Sequence, residues 1–399
     1  MLVFAAPGQG AQAPGFLSPW LELPGFADRL AAWSDLAGCD LVAAGTTAGA
    51  DEIRDTAVAQ PLLVAAAIAA TEALCGDLGQ ARREGCAAAG HSVGELAAGA
   101  IAGVLSPEDA MRLIAVRSKA MAQAAAAEDT GMTAVLGGAE PEVLAVLKAH
   151  GLTPANINAP GQIVAAGTRA QLDALAANPP PGTRLRPLSV AGAFHSPHMA
   201  PAVDALREAA AGVAVADPAI PLLSNLDGAA VTSGADWLER IITQVSAPVQ
   251  WEQCMRSMAG LDASAFVELL PGGTLTGLAR RALPGVATVA LKTPDDLTAA
   301  RSLLAEHGAL DPFDDGHLPE WRLLVSSHDG TFRADYPEQV PAPGVAVASG
   351  SALGHVEVRS GQHAVSPSFG GTIIEWLVED GDPVNTGQPL VRLQPEGTE

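Results

Sequence analysis

The sequence predicts an α/β domain that carries a small inserted sheet and is followed by a separate all-β module. Three observations point to it. Up to residue 307, short apolar runs alternate with alanine-rich helical stretches, the pattern of a sheet covered by helices. Within this part, residues 132–190 follow the order β-α-β-β-α-β, which makes a small ferredoxin-like sheet with helices on one side. From Gly308 the composition changes: acidic and proline-containing residues run to about Pro319 and give way to a Gly/Val-rich tail.

Taken in order, the opening LVFAAP ends in the cluster PGQGAQ (7–12), a first strand feeding a tight loop. Residues 57–75 read as a long helix. Its apolar stretch from Pro61 to Cys75 contains Thr71 and Glu72 and falls short of the ~20 residues a bilayer crossing needs, so it reads as buried in protein. CAAAGHS (86–92) is a small-residue strand and 93–105 a helix, so that strand, sharp turn and helix surround Ser92. In the insertion, MTAVLGG, the helix EPEVLAVLKAH, LTPANIN, GQIVAAG, the helix RAQLDALAA and TRLRPLSV follow one another. The main domain resumes with AGAFHSPHM, a helix to about Ala211, the strand PLLSN, a helical stretch 236–260, FVELLPGGTLTGLARRAL, the strand ATVAL and a helix 295–307. Residues 308–321 read as a linker. In the tail, LLVSSHDGTFR (323–333) resembles AVSPSFGGTII (364–374), and 347–354 resembles 384–391. Two similar β-rich halves predict a pseudo-symmetric barrel of short strands over 322–396.

Composition excludes several classes. Hydrophobic residues make up 48% and charged residues 17%, as in a folded globular chain. The N-terminus lacks a basic stretch and runs into a glycine turn, which argues against a signal peptide and places the protein in the cytoplasm, off the membrane. Cys39, Cys75, Cys86 and Cys254 have neither CxxC nor His-associated spacing, which predicts buried thiols and no metal site or disulfide framework. A net charge of −22 argues against nucleic acid as a partner. The same charge requires a local basic patch for any anionic partner; Lys119, Lys148 and Lys292 are the only lysines, and Arg280 and Arg281 are a candidate pair.

Gly90-His91-Ser92-Val93-Gly94 fits G-x-S-x-G, in which glycines permit the strained strand-to-helix turn that exposes a serine hydroxyl at a helix N-terminus. A serine nucleophile needs a base, and His195 and His198 in GAFHSPHM, just after the insertion returns to the main domain, are the best-placed histidines.

Seven blocks then share one order: PGQGAQ at 7–12, GHSVGE at 90–95, RSKAM at 117–121, NINAPGQIVAAG at 156–167, AFHSPHM at 194–199, QVSAPVQW at 244–251 and ELLPGGTLTGLARR at 268–281. With them the chain resembles the malonyl-CoA:acyl carrier protein transacylases over residues 1 to about 305. The resemblance implies an α/β-hydrolase-like domain around the insertion. It implies a ping-pong transfer of malonyl from coenzyme A to the phosphopantetheine thiol of an acyl carrier protein, for fatty acid or polyketide synthesis, with no covalently bound cofactor. Carried over by position, it makes Ser92 the acylated nucleophile, His195 its base, and the Gln244 backbone carbonyl the group that orients His195. The Val93 N–H and an N–H of Gln9 would form the oxyanion hole. Arg117 would pair with the malonyl carboxylate, Phe194 would disfavour a methyl branch, and His91 and Asn158 would support the pocket. Water as acceptor would make the chain a thioesterase or esterase; a non-catalytic adaptor is the other alternative.

Residues 322–396 resemble a biotinyl/lipoyl carrier domain, in which the modified lysine sits on a hairpin between the halves. Here Arg359 or Ser360 falls at that place, and no lysine follows Lys292. The resemblance therefore implies a carrier fold without carrier chemistry. Such a module serves either as a barrel kept for stability or as a docking surface for a carrier protein or another enzyme of the pathway.

Overall fold

The computed structural model describes residues 1–83, 86–308, 322–334, 344–358 and 361–395. They fall into two compact units, Met1–Asp311 and Pro312–Glu399. Most of the linker expected at 308–321, together with Arg359 and Ser360, lies outside the described residues.

The larger unit contains strands β1 (Leu2–Ala6), β2 (Ala87–Gly90), β3 (Thr130–Gly137), β4 (Thr153–Ala159), β5 (Gln162–Thr168), β6 (Thr183–Pro187), β7 (Leu222–Leu223), β8 (Ala230–Val231), β9 (Ala265–Glu268) and β10 (Ala287–Ala290). Six of them form one sheet in the order β10-β9-β1-β2-β7-β8, parallel except for β8. A parallel strand covered on both faces needs apolar residues on both, and every residue of β1 and β2 is buried. The helix Thr56–Cys75 is the one helix among the described residues long and apolar enough to span a membrane, and it is largely buried against this sheet's helical layer. The loops leaving β1 and β2 emerge side by side at the carboxyl ends of adjacent parallel strands, where open α/β sheets bind ligands.

Strands β3 to β6 form a second, antiparallel sheet in the order β4-β5-β3-β6. The helices Glu140–Ala149 and Arg169–Ala177 accompany it, and Val143, Leu147, Leu172 and Leu175 build a small core with Val135 and Ile163. One backbone bridge ties it to the main body: the Ile157 N–H donates to the Val249 carbonyl at 2.9 Å, and the Val249 N–H to the Ala155 carbonyl at 2.8 Å.

Two helices differ from the sequence reading. The stretch 236–260 is two helices, Gly234–Gln244 and Trp251–Gly260, because Pro248 falls between them and cannot continue a helix. The helix after Ser92 runs only from Gly94 to Ile101.

The smaller unit contains β11 (Arg322–Val325), β12 (Gly330–Ala334), β13 (Ala346–Val347), β14 (Gly354–Val358), β15 (Gly361–Val365), β16 (Gly371–Trp376), β17 (Pro383–Val384) and β18 (Pro389–Pro395). They form two four-stranded sheets, β11-β18-β16-β13 and β15-β14-β12-β17. Advancing every strand of the first sheet by four, with β16 and β18 returning to β12 and β14, reproduces the order of the second, as an internal repeat requires. The unit has its own core, with Phe332, Val356, Ile373, Leu390, Val391 and Leu393 at its centre.

Candidate active site

Ser92 stands on the turn between β2 and the helix Gly94–Ile101 with φ of 54°, a left-handed conformation that side-chain-bearing residues seldom adopt. Two glycines make the turn feasible. A Cβ on Gly90 would lie 2.0 Å from the Gly94 carbonyl carbon, and one on Gly94 would lie 2.3 Å from the Ala6 carbonyl oxygen. Strand end, helix start and the neighbouring strand therefore touch backbone to backbone.

His195, also left-handed at φ 56°, places its Nε2 2.6 Å from Ser92 Oγ. Its Nδ1 lies 2.8 Å from the Gln244 carbonyl oxygen. A carbonyl only accepts, so Nδ1 carries the proton and Nε2 is free to take one from the serine. Gln244 is the last residue of its helix, so this carbonyl has no partner within the helix; it accepts the Ala247 N–H at 3.3 Å and has a second lone pair for His195, at the negative end of the helix dipole. The break in the expected 236–260 helix is what presents it. Burial, reinforced by the Arg117 charge, pushes the His195 pKa down to about 3, which keeps the imidazole neutral. His198, the other sequence candidate, pairs instead with Glu128 at 2.7 Å.

A cavity of about 240 Å³ opens above the pair, lined among others by Gln9, His91, Ser92, Asn158, Phe194 and His195. His91 Nε2 lies 2.8 Å from Asn158 Oδ1, and burial lowers the His91 pKa, so this ring too is uncharged. A larger hollow of about 520 Å³, lined by Arg82, Leu105 and Val215, lies elsewhere; its one hydroxyl side chain, Ser106, is taken up in capping the helix Pro107–Ala126 through Asp109. Among the described residues, neither the Val93 nor the Gln9 N–H is engaged by another group.

Arg117 is fully buried on the helix Pro107–Ala126 and does not itself line the cavity; Gln60 and Met121, which do, stand between. Its Nη1 donates to Gln60 Oε1 at 2.6 Å and its Nη2 to Gln244 Oε1 at 2.9 Å, while its Nε has no partner. Burial lowers its pKa to about 10, so it remains a cation at neutral pH. Arg280 and Arg281 sit on the helix Thr274–Ala282, and Arg281 contacts Gln162 of the cavity lining at 3.2 Å. No cluster of three metal-ligating side chains occurs among the described residues.

Sequence reasoning missed three residues. Gln60 is a polar residue inside an apolar helix. Asn225 clamps the turn: its Oδ1 accepts the Ser92 N–H at 2.7 Å and its Nδ2 donates to the Gly90 carbonyl at 2.7 Å. That leaves Val93 as the first free N–H of the turn. Glu95, fully buried, accepts from the Asn225 N–H at 3.3 Å and from the Gln244 side chain.

A serine on such a turn, hydrogen-bonded to a histidine whose other nitrogen donates to a carbonyl in place of an acid, fits the serine-dependent acyl-transfer class. The family described as acyl transferase domain matches residues 3–303, and the chain belongs to it. It is 51% identical over 303 residues to the malonyl CoA-acyl carrier protein transacylase of Mycobacterium tuberculosis, covering 76% of this chain and 100% of that one. To the protein of the same name in Escherichia coli it is 32% identical over 308 residues, covering 75% and 98%. The MCAT crystal structure from Mycobacterium tuberculosis superimposes with a TM-score of 0.72 at 51% identity, covering 75% of this chain and 99% of that one.

Proposed function

We propose that this enzyme transfers malonyl from malonyl-CoA to an acyl carrier protein through a malonyl-Ser92 ester. The observation that carries the reading is the 2.6 Å contact between Ser92 Oγ and the neutral Nε2 of His195 beside a buried arginine. Ser92 Oγ attacks the thioester carbonyl as its proton passes to His195 Nε2. Collapse of the tetrahedral intermediate expels the coenzyme A sulfur, which takes that proton. The carrier's thiol then gives its proton to His195 and attacks the ester, and His195 returns the proton to Ser92 Oγ. The N–H groups of Val93 and Gln9 hold the oxyanion, each such donor being worth ~3–4 kcal/mol. Arg117, with an unused Nε, is the partner for the malonyl carboxylate, for which a planar guanidinium is suited. Gln60 and Met121 would adjust to let the carboxylate reach it. Phe194 crowds the place of a methyl branch, worth only ~1–3 kcal/mol of preference, and Arg280 and Arg281 supply a positive edge for anionic partners.

We further infer that the inserted sheet is ferredoxin-like and that the smaller unit is a biotinyl/lipoyl-like barrel whose attachment position is Arg359 or Ser360. Neither residue can form the amide link. The unit then acts as a docking surface or a stabilising barrel.

The test is intact-mass analysis after mixing with malonyl-CoA. Wild type gains one malonyl adduct that carrier protein removes, and Ser92→Ala, still folded, gains none. Labelling that persists in the variant would falsify the nucleophile assignment.

A further inference from the structure

Arg117 is a buried cation with no carboxylate in direct contact among the described residues. Its nearest anion lies on the far side of one side-chain amide. The Gln244 carboxamide presents Oε1 to Arg117 Nη2 at 2.9 Å and Nε2 to Glu95 Oε2, with further contacts to the Ser92 carbonyl at 3.1 Å and Asn225 Oδ1 at 3.3 Å. Rotating that amide by half a turn would set its NH₂ against the guanidinium and its oxygen against the carboxylate, so its dipole is locked along the line from cation to anion.

We propose that Glu95 is the resident counter-anion of Arg117, relayed through Gln244, and that a donor's free carboxylate competes with it, so that Glu95 sets how strongly the pocket prefers malonyl over uncharged acyl groups. The proposal rests on the reading of Arg117 as the malonyl carboxylate's partner. Glu95 touches neither substrate nor the reacting atoms; it is a positioning residue that acts through Gln244 and Arg117. Burial raises its pKa to about 7, opposed by the hydrogen bonds from Asn225, Gln244 and Ser224 and by the Arg117 charge. The other titratable side chain near it is Cys254 on the helix Trp251–Gly260, whose thiol burial and the Glu95 charge push up, so it stays neutral. His91 and His195 in the same site are held uncharged as well. When malonyl arrives, a second anion approaches the same guanidinium, the two carboxylates repel, and Glu95 takes a proton from solvent. Above pH 7 this uptake opposes malonyl binding; below it, Glu95 is already protonated and the opposition is gone.

The experiment compares single-turnover acylation of Ser92 by malonyl-CoA and acetyl-CoA, so that effects common to both donors cancel. At pH 8, Glu95→Gln is expected to raise the malonyl-to-acetyl ratio of kcat/KM roughly three- to tenfold, the effect of removing one charge a few ångströms beyond a partly buried pair. In wild type the ratio should climb as pH falls from 8.5 to 6, and in Glu95→Gln it should stay flat. A merely structural glutamate would lower both donors together and leave the ratio alone. A ratio at pH 8 that is unchanged or lower in the variant, or a wild-type ratio indifferent to pH, overturns the proposal. If the variant does not fold, the wild-type pH series decides alone. Arg117→Ala should abolish the malonyl preference at every pH; if the preference survives that change, the reading of Arg117 has failed, whatever Glu95 does.

Discussion

His195 shows how one side chain's surroundings decide its chemistry. In water a histidine would be half protonated at about pH 6.5 and could not serve as a base below it. Here burial and the neighbouring arginine hold it neutral, with a pKa of about 3. The ¹⁵N spectrum of His195, assigned by its loss in His195→Ala, should keep the Nδ1–H neutral pattern from pH 8 down to pH 5; protonation with a midpoint near 6.5 would contradict the assignment. The sign for stability follows. The folded pKa is depressed, so below about 6.5 the unfolded chain binds the proton first, and this group subtracts stability as pH falls from there toward 3. At this scale the turn of Ser92 was legible, because glycines around a serine are a local signal, and the sequence narrowed the histidine that meets its hydroxyl to two. Glu95 was not. A glutamate in a helix's first turn reads as a dipole-complementing surface residue, and only long-range packing from Asn225 and Gln244 buries it.

The turn carrying Ser92 is the element on which the site depends. Because an added Cβ on Gly90 would meet backbone atoms of Gly94 and Glu95 at 2.0–2.2 Å, the helix would have to move off the strand. Gly90→Ala is expected to cost about 1–3 kcal/mol or more of stability and to abolish acylation, read as a lowered Tm and a missing malonyl adduct. An alanine variant with normal Tm and full acylation would show that the close approach is dispensable. Element order was readable where turn residues punctuate it, as in the strand, loop and helix runs of the insertion. It failed at 236–260, read as one helical stretch although Pro248 interrupts it. That break matters most for function, because it releases the Gln244 carbonyl from the helix ladder and lets it accept from His195 as well as from the Ala247 N–H.

For the whole molecule, two compact units with separate cores predict that chemistry and tail can be divided. Deleting residues 309–399 should leave the rate of Ser92 acylation by malonyl-CoA within about twofold, since every side chain assigned to the chemistry belongs to the larger unit. If the tail docks a partner, the same deletion raises KM for the carrier protein while acylation persists. A folded truncation that cannot acylate would refute the division. The repeat in the tail was visible as similar segments, but the way its halves interleave was not, because strand pairing between distant segments leaves no local mark. Each sheet draws strands from both halves, and among the described residues the unit's first strand, β11, pairs with its last, β18. During synthesis, β11 therefore waits without its partner until Pro389–Pro395 has left the ribosome. A chain stopped short of Pro389 would leave Leu323 and Val325, already exposed in the finished fold, on an unpaired edge, where such strands recruit copies of themselves.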